Sequence, residues 1–235
     1  MSTEKSMLNS IASDSLYTTF SNTMTIEYSF EIFKRYLKEG SILELGPAEG
    51  LMTRELVKFT TDITLVEGSD VFVAQLREKY PSTEVVNTLF EDFNPLRKYD
   101  NIILGHVLEH VNDPVYILTI AKKWLNPGGR ILSAVPNSRS LHRQAAVIMD
   151  LLDKEDSMSE LDFHHGHRRI YNPESFRSDF KAAGLNIIAF GGYWLKPISN
   201  KQIHEQWTPS MLHAFMQLGE RYPDVAGEIY IIASH

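Results

Sequence analysis

Cysteine is absent from the 235-residue chain. Disulfide bonds, thiolate nucleophiles, iron–sulfur clusters and cysteine-based zinc sites are therefore excluded together. Long apolar runs are missing as well, since none approaches the roughly 20 residues that span a bilayer. The N-terminal stretch MSTEKSMLNSIASDS lacks the basic and apolar regions of a secretory signal. These absences predict a cytoplasmic protein without a membrane partner.

Positive charge is also in short supply, with 23 lysines and arginines against 30 aspartates and glutamates and a net charge of −7. A general nucleic-acid binder needs a basic face that displaces counterions from phosphates, so we expect no nucleic-acid partner. Hydrophobic residues make up 43% of the chain, which is enough for a folded core. The length suits one large domain with room for a small insertion.

Short β-branched runs alternate with longer amphipathic segments, a pattern typical of βα units and a mostly parallel sheet. The predicted strands cover residues 41–45, 63–66, 84–87, 101–104, 130–135, 185–190 and 228–233. The predicted helices between them cover residues 51–59, 71–79, 114–125, 173–183 and 209–221. One or two further helices are predicted before the first strand, and residues 138–172 read as a polar insertion. The sequence therefore predicts an α/β fold with a doubly wound sheet.

The most informative segment joins the first predicted strand to the helix that follows, and reads Glu44-Leu45-Gly46-Pro47-Ala48-Glu49-Gly50. Glycine at a strand end permits a tight turn and lets a ligand approach the backbone. Glu67 closes the second strand about 20 residues after Gly46, the spacing at which an acidic side chain binds ribose hydroxyls. A tight turn alone would also favour glycine, but the two features together indicate an adenosine-type ligand.

Five segments resemble, in order and spacing, the motifs of class I S-adenosylmethionine-dependent methyltransferases. They are Glu44-Leu-Gly-Pro-Ala-Glu-Gly50, Glu67, Phe90-Glu91-Asp92, Gly105-His-Val-Leu-Glu-His-Val111 and Leu125-Asn-Pro-Gly-Gly129. The similarity is strong over residues 42–137 and weaker in the C-terminal third. Nicotinamide dehydrogenases usually carry Gly-x-Gly-x-x-Gly in the first loop, whereas here Glu44 precedes the first glycine, as in methyltransferases. The resemblance implies a seven-stranded, mostly parallel sheet whose last strand runs antiparallel.

The resemblance also implies a division of the chain and a cofactor. Residues 1–39 would form a helical lid, and residues 40–235 a methyltransferase domain with an acceptor-pocket insertion at about 138–172. S-adenosylmethionine would be the cofactor, and by motif position its binding residues would be Glu44, Gly46, Ala48, Glu67, Gly68, Phe90, Glu91, Gly105 and His106. The middle glycine of the family's loop is replaced by Ala48, which leaves slightly less room above the cofactor.

Histidines are the natural candidates for proton transfer, because they titrate near neutral pH. His106, His165 and His167 are therefore candidate bases or acceptor-positioning residues. His106 and His110 lie four residues apart and could share a metal ion on one helix face. The same His-x-x-Glu-His sequence occurs, however, in metal-free methyltransferases. Adjacent histidines in the insertion rarely converge on one ion, so we expect no metal.

Candidate acceptor-binding residues lie in the insertion and in the N-terminal helices. They are Tyr17, Tyr28, His165, His167, Arg168 and Arg169. The two arginines could pair with an anionic acceptor through the bidentate geometry of the guanidinium group. Two alternatives stay open: a polar loop with solvated arginines, and tyrosines that simply pack on the sheet.

The sequence thus predicts an S-adenosylmethionine-dependent methyltransferase that acts on a polar small molecule, at oxygen rather than nitrogen. The histidines and arginines of the insertion favour a sugar, a carboxylate or a phosphonate-like acceptor. A protein that binds S-adenosylmethionine without catalysis, as a regulator or scaffold, is the main alternative. A nicotinamide-dependent oxidoreductase is disfavoured by the first loop. A homodimer is compatible with the sequence.

Overall fold

A seven-stranded sheet runs through the centre of the computed structural model, which describes residues 3–13 and 19–235. Its strands, numbered along the chain, are β1 (Ile42–Leu45), β2 (Ile63–Glu67), β3 (Glu84–Asn87), β4 (Tyr99–Gly105), β5 (Leu125–Pro136), β6 (Asn186–Tyr193) and β7 (Glu228–Ser234). The spatial order is β3-β2-β1-β4-β5-β7-β6. The first five strands pair in parallel, and β7 runs antiparallel to both β5 and β6. The predicted seven-stranded sheet with an antiparallel last strand is confirmed.

Ten α-helices within the described residues flank this sheet. They are α1 (Thr3–Ser13), α2 (Phe20–Lys34), α3 (Leu51–Phe59), α4 (Asp70–Lys79), α5 (Pro114–Lys123), α6 (Leu141–Ile148), α7 (Glu160–His164), α8 (Pro173–Ala182), α9 (Asn200–Gln206) and α10 (Pro209–Gly219). None of them is long and apolar enough to cross a membrane.

The sheet separates two hydrophobic clusters, because successive side chains of a strand point to opposite faces. In β4, Ile102 and Leu104 join the cluster beneath α5 and α8, whereas Ile103 joins the cluster beneath α2, α3 and α10. Every residue of β1 and β2 is buried. Strands buried on both faces are typical of parallel sheets covered by helices on each side.

The segments outside the sheet core lie at the carboxyl ends of the parallel strands. α1 docks on the start of α4, where the Asn9 side-chain oxygen accepts hydrogen bonds from the Asp70 backbone N–H at 2.8 Å and the Ser69 hydroxyl at 3.0 Å. The segment between β5 and α8, predicted as an insertion, contains α6 and α7. Both segments thus approach the edge of the sheet at which ligands bind in open α/β folds.

Most predicted elements differ from the structure by a few residues at their ends, and two differences have clear physical causes. β5 begins at Leu125 rather than near residue 130, because Leu125 already pairs with Tyr99 before the chain turns and pairing resumes. α9 is not among the predicted helices. Its capping box, in which Ser199 and Gln202 satisfy each other's backbone N–H groups, was the sequence signal that could have revealed it.

Candidate active site

One cavity of about 560 Å³ opens at the carboxyl ends of β1, β2, β4 and β5. Its volume falls within the range of about 300–1,000 Å³ that is usual for small-molecule sites. The wall is built by the loops after these strands, by α1 and α2, by the segment around α7, and by the loop after β6. The cavity therefore lies where the sequence predicts the ligand.

The loop after β1 lines one end of the cavity and contains three residues with left-handed backbone. Gly46, Ala48 and Gly50 have φ angles of 67°, 48° and 81°. Glycine adopts this region freely, whereas a residue with a Cβ is strained there. The alanine that replaces the family's middle glycine thus occupies a position whose backbone favours glycine.

Two buried carboxylates, Glu44 and Glu67, lie next to this loop. Glu67 Oε2 accepts a hydrogen bond from the Ala48 backbone N–H at 3.2 Å, and Oε1 accepts one from the Ser69 N–H at 2.8 Å. Glu44 accepts a hydrogen bond from the Thr53 hydroxyl at 2.7 Å. Burial raises the pKa of Glu67, and it raises the pKa of Glu44 to about 8. A cationic ligand group beside Glu44 would favour its ionised form.

The remaining predicted cofactor residues also line the cavity, namely Gly68, Phe90, Glu91, Gly105 and His106. Gly68 lies directly beneath α1, since a Cβ placed on it would come within 2.6 Å of Leu8 Cδ1. Leu8 and Ile11 of α1 line the cavity as well. α1 therefore covers the part of the cavity next to Glu67.

His106 lines the cavity directly after β4. It follows β4 with a φ of 57°, a conformation that costs a non-glycine residue energy and is found mainly at functional sites. Its Nδ1 lies 3.6 Å from Glu109 Oε1 and 3.8 Å from Glu228 Oε2, and its Nε2 lies 3.4 Å from the Tyr193 hydroxyl. Burial alone would lower the pKa of His106, but the neighbouring carboxylates outweigh burial and raise it.

His165 and His167 line the same cavity from the segment after α7, so the structure brings all three predicted histidines together. Burial lowers the pKa of His165 to about 4, so its imidazole is neutral at physiological pH. His167 Nδ1 lies 3.2 Å from Asp162 Oδ1. Its ring packs edge-on against the ring of His110, with centroids 4.7 Å apart.

Arg168 and Arg169 do not line the cavity, because their guanidinium groups hold the loop after β4 instead. Arg168 Nε donates to the His110 carbonyl at 2.7 Å, and its terminal nitrogen donates to both Glu4 carboxylate oxygens at 2.9 Å. Arg169 donates to the carbonyls of Leu108, Val111 and Asn112. Both guanidinium groups are engaged within the protein and neither residue lines the cavity, which corrects the expectation that these arginines pair with the acceptor.

Tyr28 is also absent from the cavity wall. Its ring is buried between α2 and β6, its hydroxyl donates to Glu220, and burial raises its pKa. Tyr28 therefore packs in the core, as the alternative stated above has it. Tyr17 lies outside the described residues.

Three residues that the sequence did not single out also line the cavity, namely His142, Lys196 and Glu228, together with Trp194, which follows the sixth strand and could from the sequence either line the acceptor cavity or fill the core. Lys196 is the important addition, because it is a partly buried cation whose ammonium lies 4.7 Å from the centre of the Trp194 ring. Burial lowers its pKa to about 8. No local motif marks Lys196, and only the return of the chain after β6 brings it to the cavity.

Comparison with known proteins agrees with this geometry. The sequence profile of a family described as "Methyltransferase domain" matches residues 26–189. The chain belongs to this family. A ubiquinone biosynthesis O-methyltransferase of Rhizobium etli is 25% identical to this chain over 188 residues, which cover 77% of this chain and 72% of that protein. For further relatives of the same name, the chain spans 64–67% of their length.

Solved structures share the fold at low sequence identity. The CcbJ methyltransferase of Streptomyces caelestis superposes with a TM-score of 0.66 at 13% identity and covers 98% of both chains. An S-adenosylmethionine-dependent methyltransferase of Mesorhizobium loti superposes with a TM-score of 0.65 at 14% identity, over 88% of this chain and 98% of that one. Both likenesses support the class I methyltransferase fold.

S-adenosylmethionine is the cofactor of this methyltransferase, and the cavity suits it. The left-handed loop brings backbone close to the cavity, while Glu44 and Glu67 supply carboxylates at the ends of β1 and β2. A carboxylate accepts hydrogen bonds from ribose hydroxyls, and another compensates a positive amino group. Among the described residues, these two carboxylates are acceptors suited to the ribose hydroxyls and the amino group of the cofactor.

Proposed function

We propose that the methyltransferase transfers a methyl group from S-adenosylmethionine to an oxygen atom of a polar, anionic small molecule. One observation carries the proposal. The loop after β1, His106 and the partly buried cation Lys196 line a single cavity. The same enclosed space thus offers a cofactor end and a polar acceptor end.

At the cofactor end, we assign binding to Glu44, Gly46, Ala48, Glu67, Gly68, Phe90, Glu91 and Gly105, all of which line the cavity. S-adenosylmethionine supplies an electrophilic methyl group on a positively charged sulfur. Residues of α1 and α2 line the cavity, where they would shield the reactants from water and limit their orientations. Methyl transfer is an in-line displacement, so such alignment provides much of the rate enhancement.

At the acceptor end, His106 is placed to accept the proton of a hydroxyl group. The carboxylates of Glu109 and Glu228 near its Nδ1 stabilise the imidazolium that forms. A hydroxyl needs such a base, whereas a neutral amine needs little help. This set of groups supports O-methylation, as do the names of the O-methyltransferase relatives.

Lys196 supports an anionic acceptor. An ammonium group that is partly withdrawn from water gains more from an anion than an exposed lysine does, because the local dielectric is lower. The two arginines expected for this role are used elsewhere. We therefore place a carboxylate or phosphonate-like group of the acceptor at Lys196.

The experiment measures formation of S-adenosylhomocysteine with matched acceptors that share one ring and differ in two groups. One group is a hydroxyl or an amine, and the other is a carboxylate or its neutral methyl ester. We expect turnover with the hydroxy acid and a clearly higher KM with the ester. Lys196→Met should raise the KM for the acid but not for the ester, and exposed Lys201→Met serves as the control.

Two results would contradict the proposal. Binding of S-adenosylmethionine without turnover on any hydroxyl acceptor would favour a regulatory binding protein. Turnover restricted to amines would move the reaction to nitrogen.

A further inference from the structure

A carboxylate and two imidazoles converge on the wall of the cavity next to His106. Glu109, His110 and His167 each offer one ligand atom, and the three atoms lie within 4.8 Å of one another. Glu109 and His110 belong to the loop after β4, whereas His167 follows α7. All three residues line the cavity.

Hydrogen bonds that do not involve the three side chains hold the two segments together. The Arg168 backbone N–H donates to the Glu109 carbonyl at 2.8 Å, and Arg168 Nε donates to the His110 carbonyl at 2.7 Å. The His167 ring lies between His110 and Asp162, whose Oδ1 is 3.2 Å from Nδ1. A carboxylate beside a histidine ring is the usual device that orients a metal-binding imidazole.

Glu109 supplies a second, independent observation. Its residue is 1% exposed, and among the described residues neither carboxylate oxygen has a hydrogen-bond partner. The adjacent His106 Nδ1 lies 3.6 Å away, beyond hydrogen-bonding distance. Burial of a carboxylate without donors is costly. A cation bound at this point would add to the partial compensation that His106 gives this carboxylate.

We propose that Glu109, His110 and His167 form a binding site for a divalent transition-metal ion, with Zn²⁺ as the best match. One carboxylate and two imidazoles form a frequent catalytic zinc set, which leaves further coordination positions open. Mg²⁺ and Ca²⁺ prefer sites made only of oxygen ligands, so the two imidazoles disfavour them. The nitrogen and oxygen ligands of one tetrahedral Zn²⁺ lie about 3.4 Å apart, so shifts of about 1–1.5 Å would complete the set.

This set of ligands differs from the two considered from the sequence, which were His106 with His110 and the adjacent histidines of the insertion. It also departs from the expectation of no metal. The sequence distance between Glu109 and His167 hides their proximity, which depends on the docking of the α7 segment against the loop after β4.

The role of the ion rests on the proposed function, although the binding of the ion does not. Because the three residues line the cavity, an ion that they hold would lie at the cavity wall. Zn²⁺ held there would make a bound hydroxyl easier to deprotonate, and His106 would accept the proton. The oxygen lone pair then forms the C–O bond while the C–S bond breaks. The electron pair of that bond stays on sulfur, which leaves neutral S-adenosylhomocysteine.

The test is calorimetric titration of Zn²⁺ into chelator-treated full-length protein, without S-adenosylmethionine or acceptor. We expect one saturable site per chain. Co²⁺ in place of Zn²⁺ should give visible ligand-field absorption, to which thiolates cannot contribute because the chain has no cysteine. Glu109→Gln and His167→Gln should each weaken Zn²⁺ binding by about tenfold or more and remove the Co²⁺ spectrum.

His164→Gln is the matched control, since His164 is exposed and lies outside the cluster. It should bind Zn²⁺ like the unmodified protein. If Glu109→Gln does not fold, as judged by its thermal melting, His167→Gln decides the test. Absence of Zn²⁺ binding, or equal binding by both cluster variants, would overturn the site. Zn²⁺ binding without methyl transfer on any acceptor would instead overturn the proposed function and leave the site intact.

Discussion

Glu67 joins two loops of the cavity and is the side chain to which we assign the cofactor ribose. Its two oxygens accept hydrogen bonds from the backbone of Ala48 and Ser69, so it ties the loop after β1 to the loop after β2. We expect Glu67→Ala to weaken S-adenosylmethionine binding by about 1–3 kcal/mol, because ligand and backbone donors lose a buried partner. Calorimetry should show this as a roughly 5- to 150-fold rise in Kd.

Two further variants serve as comparisons for the affinity of Glu67→Ala. Glu67→Gln keeps the shape and one acceptor oxygen, so its loss of affinity should be smaller than that of Glu67→Ala. Glu78→Ala, at an exposed position on α4, should leave the affinity unchanged. Unchanged affinity in Glu67→Ala would remove Glu67 from the binding site.

Some residues of the candidate site can be predicted from a local sequence motif, whereas the positions of others depend on the fold. Glu44, Gly46 and Glu67 lie at strand ends, where sequence spacing already predicts a ligand-facing position. Arg168 and Lys196 show the opposite case. The charge of Arg168 is visible in the sequence, but its carbonyl and carboxylate partners are not, and the same holds for the approach of Lys196 to the cavity.

Among the elements, the sheet was the most predictable part. Strands such as β1 and β2 are buried on both faces, so their apolar, β-branched residues stand out from the flanking loops. The bounds of α3, predicted at residues 51–59, agree with the structure. The segment between β5 and α8 was less predictable, because α6 and α7 are short and have no fully buried side chain. Their positions depend on long-range contacts.

The position of α1 makes it a candidate lid over the cavity. Leu8 contacts Gly68 and Ile11 contacts Gly166, since a Cβ on either glycine would lie 2.6 Å from the leucine or isoleucine Cδ1. α1 also forms the Lys5–Asp70 ion pair at 3.2 Å, and such partly exposed pairs contribute little. The apolar contacts, the Asn9 hydrogen bonds and the Arg168–Glu4 ion pair together hold α1 in place.

We expect the double variant Leu8→Asn, Ile11→Asn to release S-adenosylmethionine faster, because its covering helix loses apolar contact. The rise should be about tenfold or more in the dissociation rate, measured by stopped-flow fluorescence. The melting temperature of the ligand-free protein should change little, since neither side chain belongs to the two core clusters. Ser10→Asn, at an exposed position on α1, is the control. An unchanged dissociation rate in the double variant would exclude a lid.

At the scale of the whole molecule, the net charge of −7 says little about the interior, which gathers titratable groups of both signs. Burial raises the pKa of Glu44 from 4.5 to about 8, so the free energy of unfolding falls as the pH rises through this range, in which the folded protein keeps a proton that the unfolded chain has lost. Burial, followed by the charges of Lys196 and Arg143, lowers the pKa of His142 to about 2. These two groups make folding stability depend on pH in opposite directions.

The His142 contribution can be isolated by substitution. Its imidazole stays neutral in the folded protein, whereas the unfolded chain takes up a proton below about pH 6.5. The unfolded state therefore binds more protons in acid, and the free energy of unfolding falls as the pH drops from 6.5 towards 2. His142→Gln removes this contribution. Between about pH 7.5 and about pH 5, the unmodified protein should lose about 1–2 kcal/mol more than the variant. Urea unfolding in the presence of chelator measures both values, with exposed His164→Gln as the control. Equal losses in the unmodified protein and in His142→Gln would show that His142 becomes protonated in the folded state.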